Sequence, residues 1–176
     1  MASAGPNSAG TITSVTDGSS GTNAWGTPSN AGASDNTRTT ATVSTQFLKC
    51  LNFGFAVPST ATINGISVEV EGSHDGAGRG TVAHMYKAGV LAGTEPSTEL
   101  PSVETYTQMA PSDPTVYMWG TTWTPAEVNA SDFGVGIWAW QTAGATTSID
   151  HVRVTVYYTE ASTTKAFRRS LLGVGV

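Results

Sequence analysis

Residues 149–159 read Ile-Asp-His-Val-Arg-Val-Thr-Val-Tyr-Tyr-Thr, and this stretch decides the fold class. Apolar and polar residues alternate along most of it, which is the two-residue period of a β-strand with one buried face. The expected core side consists of Val152, Val154, Val156 and Tyr158. The opposite side consists of His151, Arg153, Thr155 and Tyr157. The pattern therefore predicts a long strand at the edge of a hydrophobic core.

The same alternation occurs elsewhere in the chain. Residues 63–71 and 132–140 repeat it, and in the second run Trp138 and Trp140 share the side opposite Phe133, Val135 and Ile137. The less regular runs 39–58 and 81–87 also favour strands. Because the turn-forming cluster 72–78 separates 63–71 from 81–87, we expect those two strands to form a hairpin.

Helical periodicity is absent apart from one short segment. Thr124, Pro125 and Glu127 have the spacing of a capping box, which predicts a single helical turn. The proline-rich run 92–114 indicates a weak edge strand and long loops. Short strands separated by turn clusters predict an all-β fold, an antiparallel β-sandwich or jelly roll with extended N- and C-terminal arms.

The length of 176 residues favours one domain with a well-buried core. Residues 1–36 are rich in Gly, Ser, Thr and Ala and have too little apolar surface to order alone, so we interpret them as an N-terminal arm or as edge strands. Residues 37–160 form the expected sandwich domain. Residues 161–176 form a basic, apolar C-terminal tail.

Charge and hydropathy narrow the classes of partner. Only 12% of the residues are charged and the formal net charge is −5, with no basic stripe through the body, so we expect no nucleic-acid partner. No run of about 18 apolar residues occurs, so we expect no membrane span. The start of the chain also lacks the charged and apolar regions of a secretory signal.

The sequence offers little support for catalysis. Cys50 lies in an apolar run and is interpreted as a buried, inert thiol. No Gly-x-Ser-x-Gly elbow occurs, and acid pairs such as Glu127 and Asp132 are expected in any chain with thirteen acidic residues. We therefore predict that the protein is not an enzyme and has no catalytic residue and no cofactor.

The candidate metal ligands are equally sparse. His74, His84 and His151 lack the spacing of a zinc site, and His84 is expected on the inner face beside Val82 and Tyr86. Three acidic loops could suit calcium, but their residues are also ordinary turn formers: Asp17-Gly18, Asp35-Asn36 and Asp75-Gly76. We favour the turn interpretation and predict no metal site.

Two features predict contacts with other proteins. Residues 1–160 carry thirteen acidic and five basic residues, a formal −8, whereas residues 161–176 carry three basic residues and no acid. The tail could therefore extend onto a neighbouring subunit, and the alternative is a frayed terminus. Exposed tryptophans would suit the centre of an interface, whereas Trp119 and Trp123 are expected to pack inside. The predicted partner-binding residues are Trp138, Trp140, Lys165, Phe167, Arg168, Arg169, Leu171 and Leu172.

A set of residues between about 25 and 159 carries a family resemblance. They are Trp25, Pro28, Asn30, Ala31 and Asp35; Phe53-Gly54-Phe55, Pro58, Ala61, Ile63, Gly65, Ile66 and Val68; Trp119-Gly120, Trp123, Pro125, Val128, Asn129 and Phe133-Gly134-Val135; and Asp150-His151-Val152, Val154, Val156, Tyr157 and Tyr158. In this order they resemble a β-sandwich, jelly-roll-like domain recurrent in structural proteins of tailed-bacteriophage and prophage virions.

The resemblance implies a non-enzymatic virion protein, assembled in the host cytoplasm. The expected role is capsid decoration or cementing, in which terminal arms bridge subunits. The expected partners are the major capsid protein or other virion proteins, together with copies of this chain in a symmetric homo-oligomer such as a trimer. The alternatives are a tail, baseplate or head-to-tail structural protein, and a carbohydrate-binding or receptor-binding sandwich module.

Overall fold

The computed structural model describes residues 1–18, 20–76, 80–109, 113–142 and 144–162. Two antiparallel β-sheets pack face to face around one hydrophobic core. The predicted all-β sandwich is therefore confirmed. Within these ranges two short helical turns lie between strands, a 3-10 turn at Pro28–Ala31 and the α-helical turn α1 at Pro125–Val128.

Eleven strands are defined in the described part of the chain. They are β1 (Ala2–Ser8), β2 (Thr11–Val15), β3 (Thr39–Thr42), β4 (Phe47–Leu51), β5 (Thr62–His74), β6 (Gly80–Lys87), β7 (Val90–Ala92), β8 (Ser97–Thr98), β9 (Thr105–Gln108), β10 (Gly134–Trp140) and β11 (Thr146–Thr159). The first sheet has the order β1-β11-β5-β9, and β3 also pairs with β11. The second has the order β2-β4-β10-β6-β7, and β8 also pairs with β6.

Strand β11 has the predicted orientation. Its three core valines are fully buried, and Tyr158 is partly buried against the core. A β-bulge interrupts the pairing with β5: Ile149 lies opposite Gly72 and His151 opposite Glu71, so Asp150 is the extra residue. Because of the bulge, Ile149 and Val152 both reach the core, although their spacing would otherwise put them on opposite faces.

Residues 1–36 fold against the sandwich as edge strands rather than extending from it. Strand β1 is at the edge of the first sheet beside β11, and β2 is at the edge of the second sheet beside β4. Trp25 is buried in the shared core, and its Nε1 donates to the carbonyl of Gln46 at 2.8 Å. This segment therefore uses a core that the rest of the chain supplies.

The predicted hairpin between the strands at 63–71 and 81–87 is wrong. Strand β5 belongs to the first sheet and β6 to the second, so the chain crosses between sheets at this point. Strand β6 instead forms its hairpin with β7, through Ala88 and Gly89, both at positive φ. The alternation of apolar and polar residues shows which side of a strand is buried. It does not show whether two successive strands are neighbours in one sheet or face each other across the core.

One end of the sandwich is closed by the segment 52–61, which crosses from β4 to β5. Two aromatic residues of this segment form a cluster with two that flank α1, with ring centroids 5.3–6.4 Å apart: Phe53, Phe55, Trp123 and Phe133. The predicted capping box is confirmed, because Thr124 Oγ1 accepts from the Glu127 amide and Glu127 Oε2 accepts from the Thr124 amide. The cap fixes where α1 begins against this cluster.

Candidate functional site

The outer face of the second sheet is a second apolar layer. Phe47, on β4, packs against His84, Tyr86 and Trp138 with ring centroids 6.3–6.5 Å apart. A Cβ at Gly136 would lie only 2.6 Å from the Phe47 ring and 2.8 Å from that of Tyr86, so the glycine lets both rings pack close against the strand. The sheet is therefore apolar on both sides.

The prediction that His84 lies on the inner face is wrong. The inner face of β6 carries Ala83 and Met85, whereas His84 points outward with Tyr86. His84 Nδ1 lies 2.7 Å from Glu95 Oε1. Because apolar neighbours cover both sides of this strand, the alternation of residues could not distinguish the inner from the outer face.

The two tryptophans predicted to bind a partner differ in exposure. Trp138 is partly buried edge-on to Phe47, and its buried Nε1 has no hydrogen-bond partner among the described residues. Trp140 is 43% exposed, with its indole over Gly80, where a Cβ would lie 2.7 Å from the ring. Trp119 and Trp123 are buried, as predicted.

An exposed apolar residue lies on the segment that hydrogen-bonds to the end of β10. The backbone amide of Thr45 donates to the Ala139 carbonyl at 2.9 Å, and Gln141 Nε2 donates to the Ala41 carbonyl at 3.0 Å. Val43 lies between these two bonds, is 41% exposed and has φ +61°. A β-branched residue at positive φ is strained, so the surrounding structure must impose this conformation. We call Val43 and Trp140 the end patch.

An acidic cluster lies on the outer side of the first sheet. It combines Glu71 from β5, Glu104 just before β9, and Asp150 from the bulge in β11, and one carboxylate oxygen from each lies within 4.8 Å of the others. Asp150 is only 1% exposed. The bulge brings Asp150 to this side of the strand, so the cluster depends on an irregularity that alternation did not reveal.

Hydrogen bonds satisfy the acidic cluster only in part. Asp150 Oδ2 accepts from the Asn36 amide at 3.1 Å, and Arg38 forms a bidentate pair with Glu104. In contrast, Glu71 Oε2 and Asp150 Oδ1 are buried and have no hydrogen-bond partner in the described part of the chain. Burial raises the pKa of Asp150, and the charges of Glu104 and Glu71 raise it further.

His151 lies beside the cluster, and both of its ring nitrogens are engaged. Nε2 is 2.8 Å from Ser8 Oγ, and Nδ1 is 2.7 Å from the Tyr106 hydroxyl. Burial lowers the pKa of His151, while the charge of Glu71 acts in the opposite direction. With both nitrogens occupied, His151 has no lone pair free for a metal, so the set of ligands available here consists of oxygens.

Two of the three acidic loops considered in the sequence make local hydrogen bonds of the kind found in turns: Asp17 Oδ1 accepts from the Gly18 amide at 3.0 Å, and Asp35 Oδ1 from the Thr37 amide at 2.8 Å. Asp75 Oδ1 instead accepts from the distant Thr146 amide, at the start of β11. The sequence analysis missed Glu71, Glu104 and Asp150 as a group because they lie far apart along the chain, and only the neighbouring Asp35-Asn36 loop drew attention to this region.

Cys50 is fully buried, and burial raises the pKa of its thiol, which agrees with the interpretation of an inert residue. The predicted tail residues Lys165, Phe167, Arg168, Arg169, Leu171 and Leu172 lie outside the described residues. Within the described ranges, no helix has the length and apolar character needed to span a membrane.

Comparison with protein-family models, with curated proteins and with solved structures finds no match for this chain.

Proposed function

We propose that the chain is a non-enzymatic structural protein of a bacteriophage particle, which binds the capsid as a decoration or cement protein. The observation that carries this proposal is the end patch. Trp140 is a large, rigid aromatic at the end of a central strand, and side chains of this type dominate the energy of protein interfaces. The proposal that the partner is a virion rests on the family resemblance of residues 25–159.

The basic tail supplies a second contact in this proposal. Its three basic residues follow a body with a formal charge of −8, and its apolar residues suit addition to the surface of a neighbouring subunit. A contact through the end patch combined with one through the tail would strengthen binding by raising the effective concentration of the second contact. The protein would in this way link adjacent subunits of the particle.

A carbohydrate-binding function is supported less well. Such sites stack several exposed aromatic rings against sugars, whereas here Trp140 is exposed and Trp138 is largely covered by Phe47. Trp25, Trp119 and Trp123 belong to the core. The five tryptophans therefore do not form a shared platform, although one exposed ring can anchor a protein interface.

The test uses particles of the encoding virus prepared from a strain that lacks this gene. Purified chain is mixed with these particles, and the co-sedimenting fraction is measured for the wild type, for Trp140→Ala and for a truncation after Glu160. We expect each change to reduce binding at least tenfold. Val90→Ser is the matched control, because Val90 is 64% exposed but pairs with the opposite end of β6, roughly 20 Å from Gly80 at about 3.3 Å per residue.

The outcomes separate the alternatives. Binding to tails but not to isolated capsids would support a tail or baseplate station and overturn the capsid assignment. Absence of the chain from gradient-purified wild-type particles, measured by mass spectrometry, would overturn the virion assignment itself. Equal binding by the wild type and Trp140→Ala would show that the end patch is not part of the interface.

A further inference from the structure

The acidic cluster brings together three segments that are distant in sequence. Glu71, Glu104 and Asp150 approach so closely that one oxygen of each lies within 4.8 Å of the others. Carboxylates this close repel each other, and burial strengthens the repulsion because water no longer screens the charges. Some positive charge at the centre of the cluster would remove this cost.

The charge of Arg38 acts on all three carboxylates, but in the described part of the chain the one to which it donates hydrogen bonds is Glu104. Arg38 pairs with Glu104, with Nη2 2.8 Å from Oε1, and Arg153 pairs with Glu69 at 3.0 and 3.1 Å. The buried Glu71 Oε2 and Asp150 Oδ1 therefore remain without a hydrogen-bond partner among the described residues. Buried carboxylate oxygens nearly always have a partner, so these two atoms point to a ligand between them.

We propose that Glu71, Glu104 and Asp150 bind a calcium ion. The available ligands are oxygens, because Ser8 and Tyr106 occupy the ring nitrogens of His151, and an all-oxygen set suits a hard cation rather than zinc. Three oxygens that all lie within 4.8 Å of one another share a point no more than about 2.8 Å from each, so a small inward movement brings them to calcium–oxygen distances of about 2.3–2.6 Å. Calcium also tolerates irregular geometry better than magnesium, which suits ligands from a bulge and a loop.

The ion would add a link to a region of the first sheet where β5 already pairs with both β11 and β9. Asp150 belongs to the β11 bulge and accepts a hydrogen bond from Asn36, while Glu104 leads into the edge strand β9 and holds Arg38. Calcium would thus fasten the loop around residues 35–38 and the start of β9 to the centre of the first sheet. This site does not depend on the virion assignment.

The experiment measures the thermal unfolding midpoint, Tm, of the full chain in EDTA and then in millimolar CaCl₂ at constant ionic strength. At a free calcium concentration about fifty times the dissociation constant, we expect Tm to rise by roughly 5 to 9 °C for a chain of this size. The same concentration of MgCl₂ is expected to give a smaller rise. Terbium(III) luminescence, excited through Tyr106 beside the site, gives an independent titration that calcium should reverse.

Asp150→Asn is the decisive variant, because it keeps an oxygen for the Asn36 amide and removes one negative charge. We expect this variant to be at least as stable as the wild type in EDTA and to lose the response to calcium, with affinity weakened at least tenfold. Asp132→Asn, an exposed acid outside the cluster, is the control and should respond as the wild type does. No rise in Tm with calcium, an equal rise in Asp150→Asn, or an equal or larger rise with magnesium would each overturn the proposal.

Discussion

Asn129 is expected to hold closed the end of the sandwich where the chain crosses between sheets. Its side chain makes two hydrogen bonds to the backbone of Val57: the Val57 amide donates to Oδ1 at 2.9 Å, and Nδ2 donates to the Val57 carbonyl at 2.8 Å. Val57 is only 3% exposed and belongs to no strand. Its backbone groups therefore depend on this amide in place of a neighbouring strand.

Asn129→Ala is predicted to lower the free energy of unfolding by about 2–4 kcal/mol. Each hydrogen bond contributes about 1 kcal/mol net, and each buried backbone group left without a partner costs about 1–3 kcal/mol when water does not reach it fully. The backbone amide of Asn129 still bonds within α1 in the variant, so the helical turn itself is unaffected. The loss is thus confined to the crossover segment.

Equilibrium unfolding in urea measures this effect. With a slope of about 2 kcal/mol per molar urea, the midpoint should fall by roughly 1–2 M. Asn64→Ala is the matched control, because Asn64 makes a solvent-exposed bond to Thr159 Oγ1 at 2.8 Å, and its midpoint should move by less than about 0.25 M. A shift for Asn129→Ala no larger than that of the control would refute the argument that this amide replaces a strand partner.

Three further predictions concern single residues. The Cys50 thiol should react with a chromogenic disulfide reagent only as fast as the protein unfolds, because it is fully buried and its pKa is raised, and rapid reaction in native buffer would contradict this. Thr124→Ala should cost about 1 kcal/mol in urea unfolding, because it removes the acceptor of the capping box, whereas Thr122→Ala, at an exposed neighbouring position, should have little effect. His151 has a folded pKa below its ordinary value of 6.5, so the unfolded state binds more protons between those two values. Stability should therefore fall as the pH drops below about 6.5, an effect that His151→Asn should reduce when stability is measured in EDTA across pH 5–8.

The sequence predicted those parts of the fold that rest on local patterns. Alternation identified β11 and its core valines, and the spacing of Thr124, Pro125 and Glu127 identified α1, because each of these depends on residues within a few positions of one another. Trp119 and Trp123 were correctly expected inside. Such features follow from backbone geometry and from the burial of one face of each element. Both leave a regular pattern of residue types that can be seen in a single sequence.

Features that depend on the relation between distant segments were not predictable. The assignment of β5 and β6 to different sheets leaves no trace in their alternation, and the outer apolar layer made the orientation of His84 ambiguous. The acidic cluster needs a bulge at Asp150 together with the approach of Glu71 and Glu104. Nothing in the local sequence around any one of these residues indicates the other two.

The pairing of β1 with β11 has a consequence for how the protein folds. Ala2 lies opposite Tyr158, so one edge of the first sheet joins the beginning of the described chain to its end. Contacts over such separations give a high contact order, and proteins dominated by them fold in milliseconds to seconds because a long loop must close first. Until β11 has joined the sheet, β1, β3 and β5 all lack their shared neighbour. The backbone groups that would hydrogen-bond to β11 are then unpaired. Chains interrupted within β11 should therefore aggregate rather than accumulate as partly folded sandwiches.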